Sequence, residues 1–324
     1  MKFQSFEEIF VSNANETIAI PCFKGSRHFI GKTQQDNLCL LIRTLSDEKI
    51  KRYSSNGKLL KIDYDVECTF RDLSSNENFT DRFSLLEYKG DFDKSNSLYN
   101  YVLSIWESLI EVLGEKPTVN ELHNEVEKVR LLFLKLSKKS SKTELGLWGE
   151  LFCIANSHNP TFWMKSWHIN PSDTFDFNDG KNLLEVKTSL KNIREHDFSL
   201  EQLNNPRSED LLIMSIMTLE SDLGKSILDL VELIEQNIEK STIGEFREKF
   251  LEVAGQELEE YSRKFDFVHA KKTSKFYSPN EIPSIKKENI DDRISKVRFV
   301  SNLEKVPSID QVYFKGNRFV KDFL

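Results

Sequence analysis

From Leu60 to Phe70 apolar and polar residues alternate with a period of two. Leu60, Ile62, Tyr64, Val66, Cys68 and Phe70 fall on one face, and Lys61, Asp63, Asp65, Glu67 and Thr69 on the other. That alternation predicts a half-buried β-strand. Ile18, Ile20 and Cys22 repeat it, and Leu38 to Leu45 forms the more continuous apolar run of a buried strand. Ser54-Ser55-Asn56-Gly57 and Ser74-Ser75-Asn76 are turn clusters between such runs. Residues 1–94 therefore read as a β-rich domain, and no catalytic side chains gather in it. The period then changes. Tyr99, Val102, Leu103, Trp106, Leu109, Ile110 and Leu113 recur at helical spacing up to Gly114, and Thr118 with Glu121 forms a capping box for a second stripe of Leu122, Val126, Val129, Phe133 and Leu136. Both stripes read as core packing, and residues 95–140 as a helical connector.

Residues 141–324 carry a different succession. Thr143 to Ser157 predicts a helix with Leu147, Leu151 and Ile154 on one face. Glu150 lies three residues after Leu147 and four before Ile154, so it shares that apolar face. A carboxylate there needs a partner, because burying it alone is costly. Two roles are open to it: a metal ligand or water holder, or one half of a rim salt bridge. Gly146 and Gly149 weaken the helix and predict close packing against a neighbouring element. Phe162 to Ile169 reads as a strand, Phe175 to Thr188 as a hairpin, and Ser199 with Gln202 as the capping box of a short helix. Leu211 to Leu219 reads as a fully buried strand. Ser226 to Ile238 and Ile243 to Val253 have helical stripes, and Phe265 to Ala270 and Val297 to Val300 read as further strands. The order α-β-β-β-α-β predicts an α/β (α+β) fold.

The hairpin holds the chemistry. With Asp179-Gly180 as a two-residue turn, both at positive φ, Asn178 faces Lys181, Phe177 faces Asn182 and Asp176 faces Leu183. Asp176, Leu183, Glu185 and Lys187 then project from one side, and Leu184 and Val186 from the other. Two close carboxylates need a cation between them, or one must keep its proton. A few carboxylate oxygens, with water and phosphate completing the shell, suit Mg²⁺. Lys187, two residues along the strand from Glu185, is placed to polarise a water or to stabilise charge on a phosphodiester. The patch thus reads as a site of metal-dependent phosphodiester hydrolysis. Acid-x-Lys triplets also occur at Asp47-Glu48-Lys49, Glu87-Tyr88-Lys89 and Asp179-Gly180-Lys181, in a chain with 30% charged residues. Context separates Glu185-Val186-Lys187 from these: an apolar lead-in, an upstream Asp of matching parity and a helix signal downstream. A slip of one residue in the turn would bring Asp173 to this face in place of Asp176.

Composition narrows the picture further. At 324 residues the chain has room for two domains and a sizeable core. Its four cysteines, Cys22, Cys39, Cys68 and Cys153, have no Cys-x-x-Cys spacing, which argues against a zinc cluster or a disulfide frame. His28, His123, His158, His168 and His269 show no mutual metal spacing. Met1 to Ser12 lacks the basic and long apolar regions of a signal peptide, and no apolar run reaches the ~20 residues of a membrane span. A cytoplasmic protein without a membrane partner is expected. The net charge of −7 disfavours indiscriminate nucleic-acid binding. Basic residues are nevertheless concentrated at Lys135 to Lys142, Lys271-Lys272, Lys286-Lys287 and Lys315, Arg318 and Lys321, each read first as solvated surface. No nucleotide-binding glycine loop is present.

These motifs resemble a known family. The order α-β-β-β-α-β with Asp176 and Glu185-Val186-Lys187 is similar to the restriction-endonuclease-like core of the PD-(D/E)xK nuclease superfamily. The longer signature, Gly146-Leu147-Trp148-Gly149-Glu150-Leu151, Asp176-Phe177, Leu184-Glu185-Val186-Lys187-Thr188, His196-Asp197-Phe198-Ser199 and Gln202-Leu203, resembles the prokaryotic PD-(D/E)xK motif proteins. The resemblance implies that Asp176 and Glu185 hold Mg²⁺, with Mn²⁺ as a substitute. It also implies that Lys187 assists the attacking water and that Glu150 is the helix-borne acid. Phe175 stands where the family name has Pro, and the short Asp176–Glu185 interval leaves Asp173 open as the ligand. His196 and Gln202 are candidate phosphate contacts on DNA, the alternatives being a strand-end histidine and a capping residue. The implied function is a Mg²⁺-dependent DNA endonuclease of a restriction or phage-defence system. Its partners would be DNA, a second copy of the chain, or ATPase, helicase or methyltransferase proteins. The alternative is a non-catalytic DNA-binding or scaffold subunit of a defence or repair complex that keeps the fold.

Overall fold

The computed structural model describes residues 16–45, 54–90, 97–136, 140, 142–168, 174–205, 210–291, 293–309 and 316–323. Asp173, Lys315 and residues 137–139 and 141 of the basic run lie outside them. The chain forms two compact units, Met1–Lys139 with Gly255–Glu259, and Ser140–Ala254 with Glu260–Leu324. The helices expected as a connector, 95–140, group with the β-rich residues, and the return segment Gly255–Glu259 has no periodicity that would have marked it.

In the first unit the alternating stretches become β1 (Ile18–Pro21), β2 (Phe29–Lys32), β3 (Leu38–Ile42), β4 (Ser55–Asn56), β5 (Leu60–Asp72) and β6 (Glu77–Tyr88). They are hydrogen-bonded in the order β1-β2-β3-β6-β5-β4, and β1 also pairs in parallel with β5, so the sheet curls back on itself. Ala19, Phe29, Cys39, Leu41, Phe70 and Phe83 form a core on it. The helical stripes become α1 (Ser97–Leu113) and α2 (Val119–Leu136). The box capping α2 is formed as the sequence predicts: Glu121 N–H donates to Thr118 Oγ1 at 3.2 Å and Thr118 N–H to Glu121 Oε2 at 2.8 Å. His28 is buried here, accepting from Arg43 N–H at Nδ1 (3.1 Å) with Nε2 2.9 Å from the Gly114 carbonyl. Burial pushes its pKa down, so the ring is neutral and its role is packing.

The second unit runs α3 (Glu144–Asn156), α4 (Pro160–Ser166), β7 (Phe177–Asn178), β8 (Leu183–Ser189), β9 (Glu195–Ser199), α5 (Leu200–Leu203), β10 (Leu211–Met217), β11 (Glu220–Lys225), α6 (Ile227–Asn237), α7 (Ile243–Ala254), α8 (Phe267–Thr273), β12 (Lys275–Tyr277), β13 (Arg298–Asn302) and α9 (Arg318–Phe323). It is a mixed α+β unit. Its main sheet has the order β12-β10-β8-β7, with β8 and β10 parallel. Every residue of β10 is buried, as its continuous apolar run predicts. β9 leaves this sheet and pairs with β13. α3 packs against β8 so closely that a Cβ on Gly149 would lie 1.8 Å from Thr188 Oγ1.

Two expected strands are corrected. Phe162 to Ile169 falls mostly on helix α4, because Asn159 caps it by accepting from Phe162 N–H and Pro160 stands at its first turn. Only Trp167 makes a bridge, to Phe177. Phe265 to Ala270 likewise gives way to α8, whose start Asp266 caps by accepting from His269 N–H. The element order up to β10 is therefore α-α-β-β-β-α-β. Among the described residues, no helix is long and apolar enough to cross a membrane.

Candidate active site

The hairpin turn is two residues longer than the Asp179-Gly180 signal predicts. Asn178 pairs with Leu183 and Phe177 with Leu184, leaving Asp179 to Asn182 as the loop. Only Gly180 takes positive φ, +90°. Asp179 instead turns the chain with its carboxylate, which accepts from Lys181 N–H at 2.9 Å and Asn182 N–H at 2.6 Å. A two-residue shift preserves strand parity. Carried one step further, the register sets Asp176 opposite Glu185, so Asp176, Glu185 and Lys187 still share a face.

At the strand end Asp176 Oδ2 accepts from Val186 N–H at 2.8 Å, replacing a ladder hydrogen bond. Its backbone carbonyl accepts from His168 N–H at 3.1 Å. This clamps the segment after α4 against the hairpin and holds His168 at φ +38°, a left-handed conformation that costs energy for a residue with a Cβ. The His168 ring is thereby delivered to Glu150, with Nε2 2.8 Å from Oε2. Trp167 Nε1–H donates to the same oxygen at 2.9 Å. The other Glu150 oxygen, Oε1, and Asp176 Oδ1 each lie 2.6 Å from Lys142 Nζ. Glu150 is thus a member of the site and also half of an ion pair. Oxygen and nitrogen atoms of Glu150, His168 and Asp176 all lie within 4.8 Å of one another, a cluster able to hold a metal ion.

Glu185 is held from the other side. Its Oε1 forms an ion pair with Lys187 Nζ at 2.7 Å and accepts from Gln202 Nε2 at 2.5 Å. Lys187 Nζ also donates to Gln202 Oε1 at 3.1 Å and lies 5.2 Å from the Phe198 ring centroid. Gln202 at the same time closes the predicted capping box with Ser199. Glu185 Oε2 is buried without a hydrogen-bond partner. A carboxylate oxygen buried bare in this way is costly; Glu185 lies outside the Glu150–His168–Asp176 cluster but close enough to act on Asp176 electrostatically.

The carboxylates are electrostatically unlike. Burial, then Glu150 and Glu185, push Asp176 up to about 7, against the opposing pull of Lys142 and His168. For Glu150 burial also acts upward, but the Lys142 ammonium and the His168 contact outweigh it and hold the group well below the usual carboxylate range. Lys142 is pushed up: burial opposes its charge, and the two carboxylates more than offset it.

His196 is placed differently from a phosphate contact. It is 4% exposed, and its Nε2 lies 2.6 Å from Ser215 Oγ, which also accepts from Arg194 at 2.6 Å. Burial, helped by Arg194, Lys187 and Lys191, brings its pKa down to about 3, so it is neutral. Lys142 and His168 have no expected role in the sequence. Lys142 is hidden in a basic run, and the nearest chemistry-bearing partner of His168, Glu150, lies 18 residues upstream, a distance no motif spacing encodes.

The α+β unit sets Glu150 on α3 near Asp176, Glu185 and Lys187 of the hairpin, the residues that the resemblance to the PD-(D/E)xK superfamily singles out. The comparison with known families agrees: residues 4–304 match the family described as "Putative PD-(D/E)XK family member" (DUF4420), and the chain belongs to it. No curated protein and no solved structure matches the chain.

Proposed function

We propose that the chain is a divalent-metal-dependent DNA endonuclease. The observation that carries this reading is the bare, buried Glu185 Oε2 beside the Glu150–His168–Asp176 cluster. Asp176, Glu185 and Glu150 would hold the ion. Carboxylate oxygens suit Mg²⁺ and Mn²⁺, and His168, through Nε2, orients Glu150. A bound ion would lower the pKa of a water and neutralise charge on a phosphodiester. Lys187, fixed by Glu185 and Gln202, presents an ammonium to the attacking water or the phosphate oxygens. Gln202 acts here as a holder of Glu185 and Lys187 rather than as a direct DNA contact, and His196 supports Ser215 and Arg194. A single site cuts one strand, so double-strand cleavage calls for two copies or a partner protein. A restriction or phage-defence setting follows from the resemblance of the signature.

One observation favours a second reading, a scaffold subunit that keeps the fold without catalysis. The Lys142 ammonium already bridges Glu150 and Asp176 and offsets one of their two charges. Supercoiled plasmid incubated with Mg²⁺ or Mn²⁺ separates the two. Nicking by the wild type that disappears in Asp176→Asn and Lys187→Ala supports the nuclease. Absence of both cleavage and metal-induced thermal stabilisation supports the scaffold.

A further inference from the structure

Lys142 lies on the one oxygen of Glu150 and the one oxygen of Asp176 that no other protein group takes. On Glu150, Oε2 is taken by Trp167 and His168, and on Asp176, Oδ2 is taken by the Val186 amide. Oε1 and Oδ1 remain, and both contact Lys142 Nζ at 2.6 Å. A cation binding between Glu150 and Asp176 would need these same atoms. An ammonium and a divalent ion cannot share them, since like charges at such separations repel strongly in a low-dielectric site.

We infer that Lys142 is the chain's own occupant of the cation position and that it sets the metal affinity by having to vacate that position. The inference rests on the metal-dependent reading above and deepens it. The lysine is built to move where the carboxylates are not. Its side chain is 27% exposed, against 3% for Glu150 and 5% for Asp176. Its backbone lies just ahead of Thr143, the N-cap of α3, so the side chain can swing by rotation about its own bonds with the helix intact. The main chain is meanwhile pinned. Lys142 N–H donates to Ser140 Oγ at 2.9 Å, and the Lys142 carbonyl accepts from Tyr261 O–H at 3.0 Å. Before metal binds, Lys142 offsets the repulsion between two buried acids, and that stabilisation is given up when a divalent ion replaces it.

Calorimetric titration of Mn²⁺ into the wild type, Lys142→Met and Asp176→Asn tests this. Lys142→Met is expected to bind about tenfold tighter or more, the effect of ~1.4 kcal/mol of competition removed. Equal affinity in wild type and Lys142→Met, with binding lost in Asp176→Asn, overturns the role of Lys142 and leaves the metal site standing. No binding by either protein overturns both readings. Because Lys142→Met leaves two buried acids without their cation and could fail to fold, a second measurement uses the wild type alone. Reductive methylation read by mass spectrometry is expected to label Lys142 faster with saturating Mn²⁺ than without. Unchanged labelling in a sample whose melting temperature shows that Mn²⁺ is bound overturns the inference.

Discussion

Glu185, Lys187 and Gln202 close a triangle of two hydrogen bonds and one ion pair, and each corner has a distinct consequence when removed. Lys187 makes no metal contact in the proposed arrangement, so Lys187→Ala is expected to cut plasmid cleavage by roughly 10²–10³-fold, the cost of one preorganised donor. The Mn²⁺-induced rise in melting temperature is expected to persist; its loss would assign the lysine to metal binding instead. Gln202 has two roles at once, capping α5 and fixing Glu185 and Lys187. Gln202→Ala is therefore expected to lower stability to urea by about 1–2 kcal/mol, as lost caps do, and to lower cleavage as well. Gln202→Glu keeps the reach of the cap but sets a carboxylate against Glu185. Its penalty is expected to exceed that of Gln202→Ala at neutral pH and to shrink in acid. A variant Gln202→Ala with unaltered cleavage would reduce this residue to a cap. The sequence shows the cap and conceals the second role, because Ser199-x-x-Gln202 is complete as a local pattern, whereas the contact with Glu185 arises only when α5 folds back on β8.

Between elements, the contact of α3 with β8 at Gly149 and Thr188 keeps Glu150 at the depth of Asp176. Gly149→Ala would drive a methyl group to 1.8 Å from Thr188 Oγ1, and overpacking of this kind costs typically about 1–3 kcal/mol. Removing Thr188 Oγ1, itself buried without a partner, relieves part of the clash. A double-mutant cycle of Gly149→Ala with Thr188→Ala is expected to give a favourable coupling of about 0.5 kcal/mol or more. Strict additivity would mean that the helix shifts as a whole instead. This packing was legible from Gly149, whereas Gly146, the other helix glycine, approaches only the cap residue Thr143 of its own helix. Legible too was the common face of Asp176, Glu185 and Lys187, because face assignment depends on strand parity and parity survives a two-residue error in the turn. The helices at α4 and α8 were not legible from their apolar residues. Each is only seven residues long, about two turns, too short for a helical period to stand out. The decisive signals were the caps, Asn159 before Pro160 and Asp266. Lys142 and His168 stayed hidden because their partners are set by the fold, through the clamp between the His168 amide and the Asp176 carbonyl.

At the scale of the whole molecule, the site ties folding to both pH and metal. Asp176 has a folded-state pKa of about 7 against an ordinary 3.8, so the folded state binds its proton more tightly than the unfolded state does. The stability it contributes is fully present below the unfolded value and is lost as pH rises through about 7. Glu150 works the other way. Its folded pKa lies below the ordinary 4.5, so its contribution is present above that value and is lost in stronger acid. The metal-free protein is thus expected to be most stable in mildly acidic solution and to weaken towards alkaline pH. A divalent cation recruits the ionised form of Asp176 and restores the second anion, so the metal-induced gain in stability is expected to grow from about pH 5.5 and to level off above about pH 8. At a hundredfold excess over Kd the gain amounts to about 2.7 kcal/mol, readable as a shift in melting temperature that EDTA reverses. Asp176→Asn has no such proton to lose and is expected to flatten both the alkaline weakening and the metal response. Thermal melts of the two proteins across this pH range, with and without Mn²⁺, decide the matter. A metal gain in the wild type that is constant from about pH 5.5 to 8.5 would show that the ion does not compete with the Asp176 proton, and would move the ion away from Asp176.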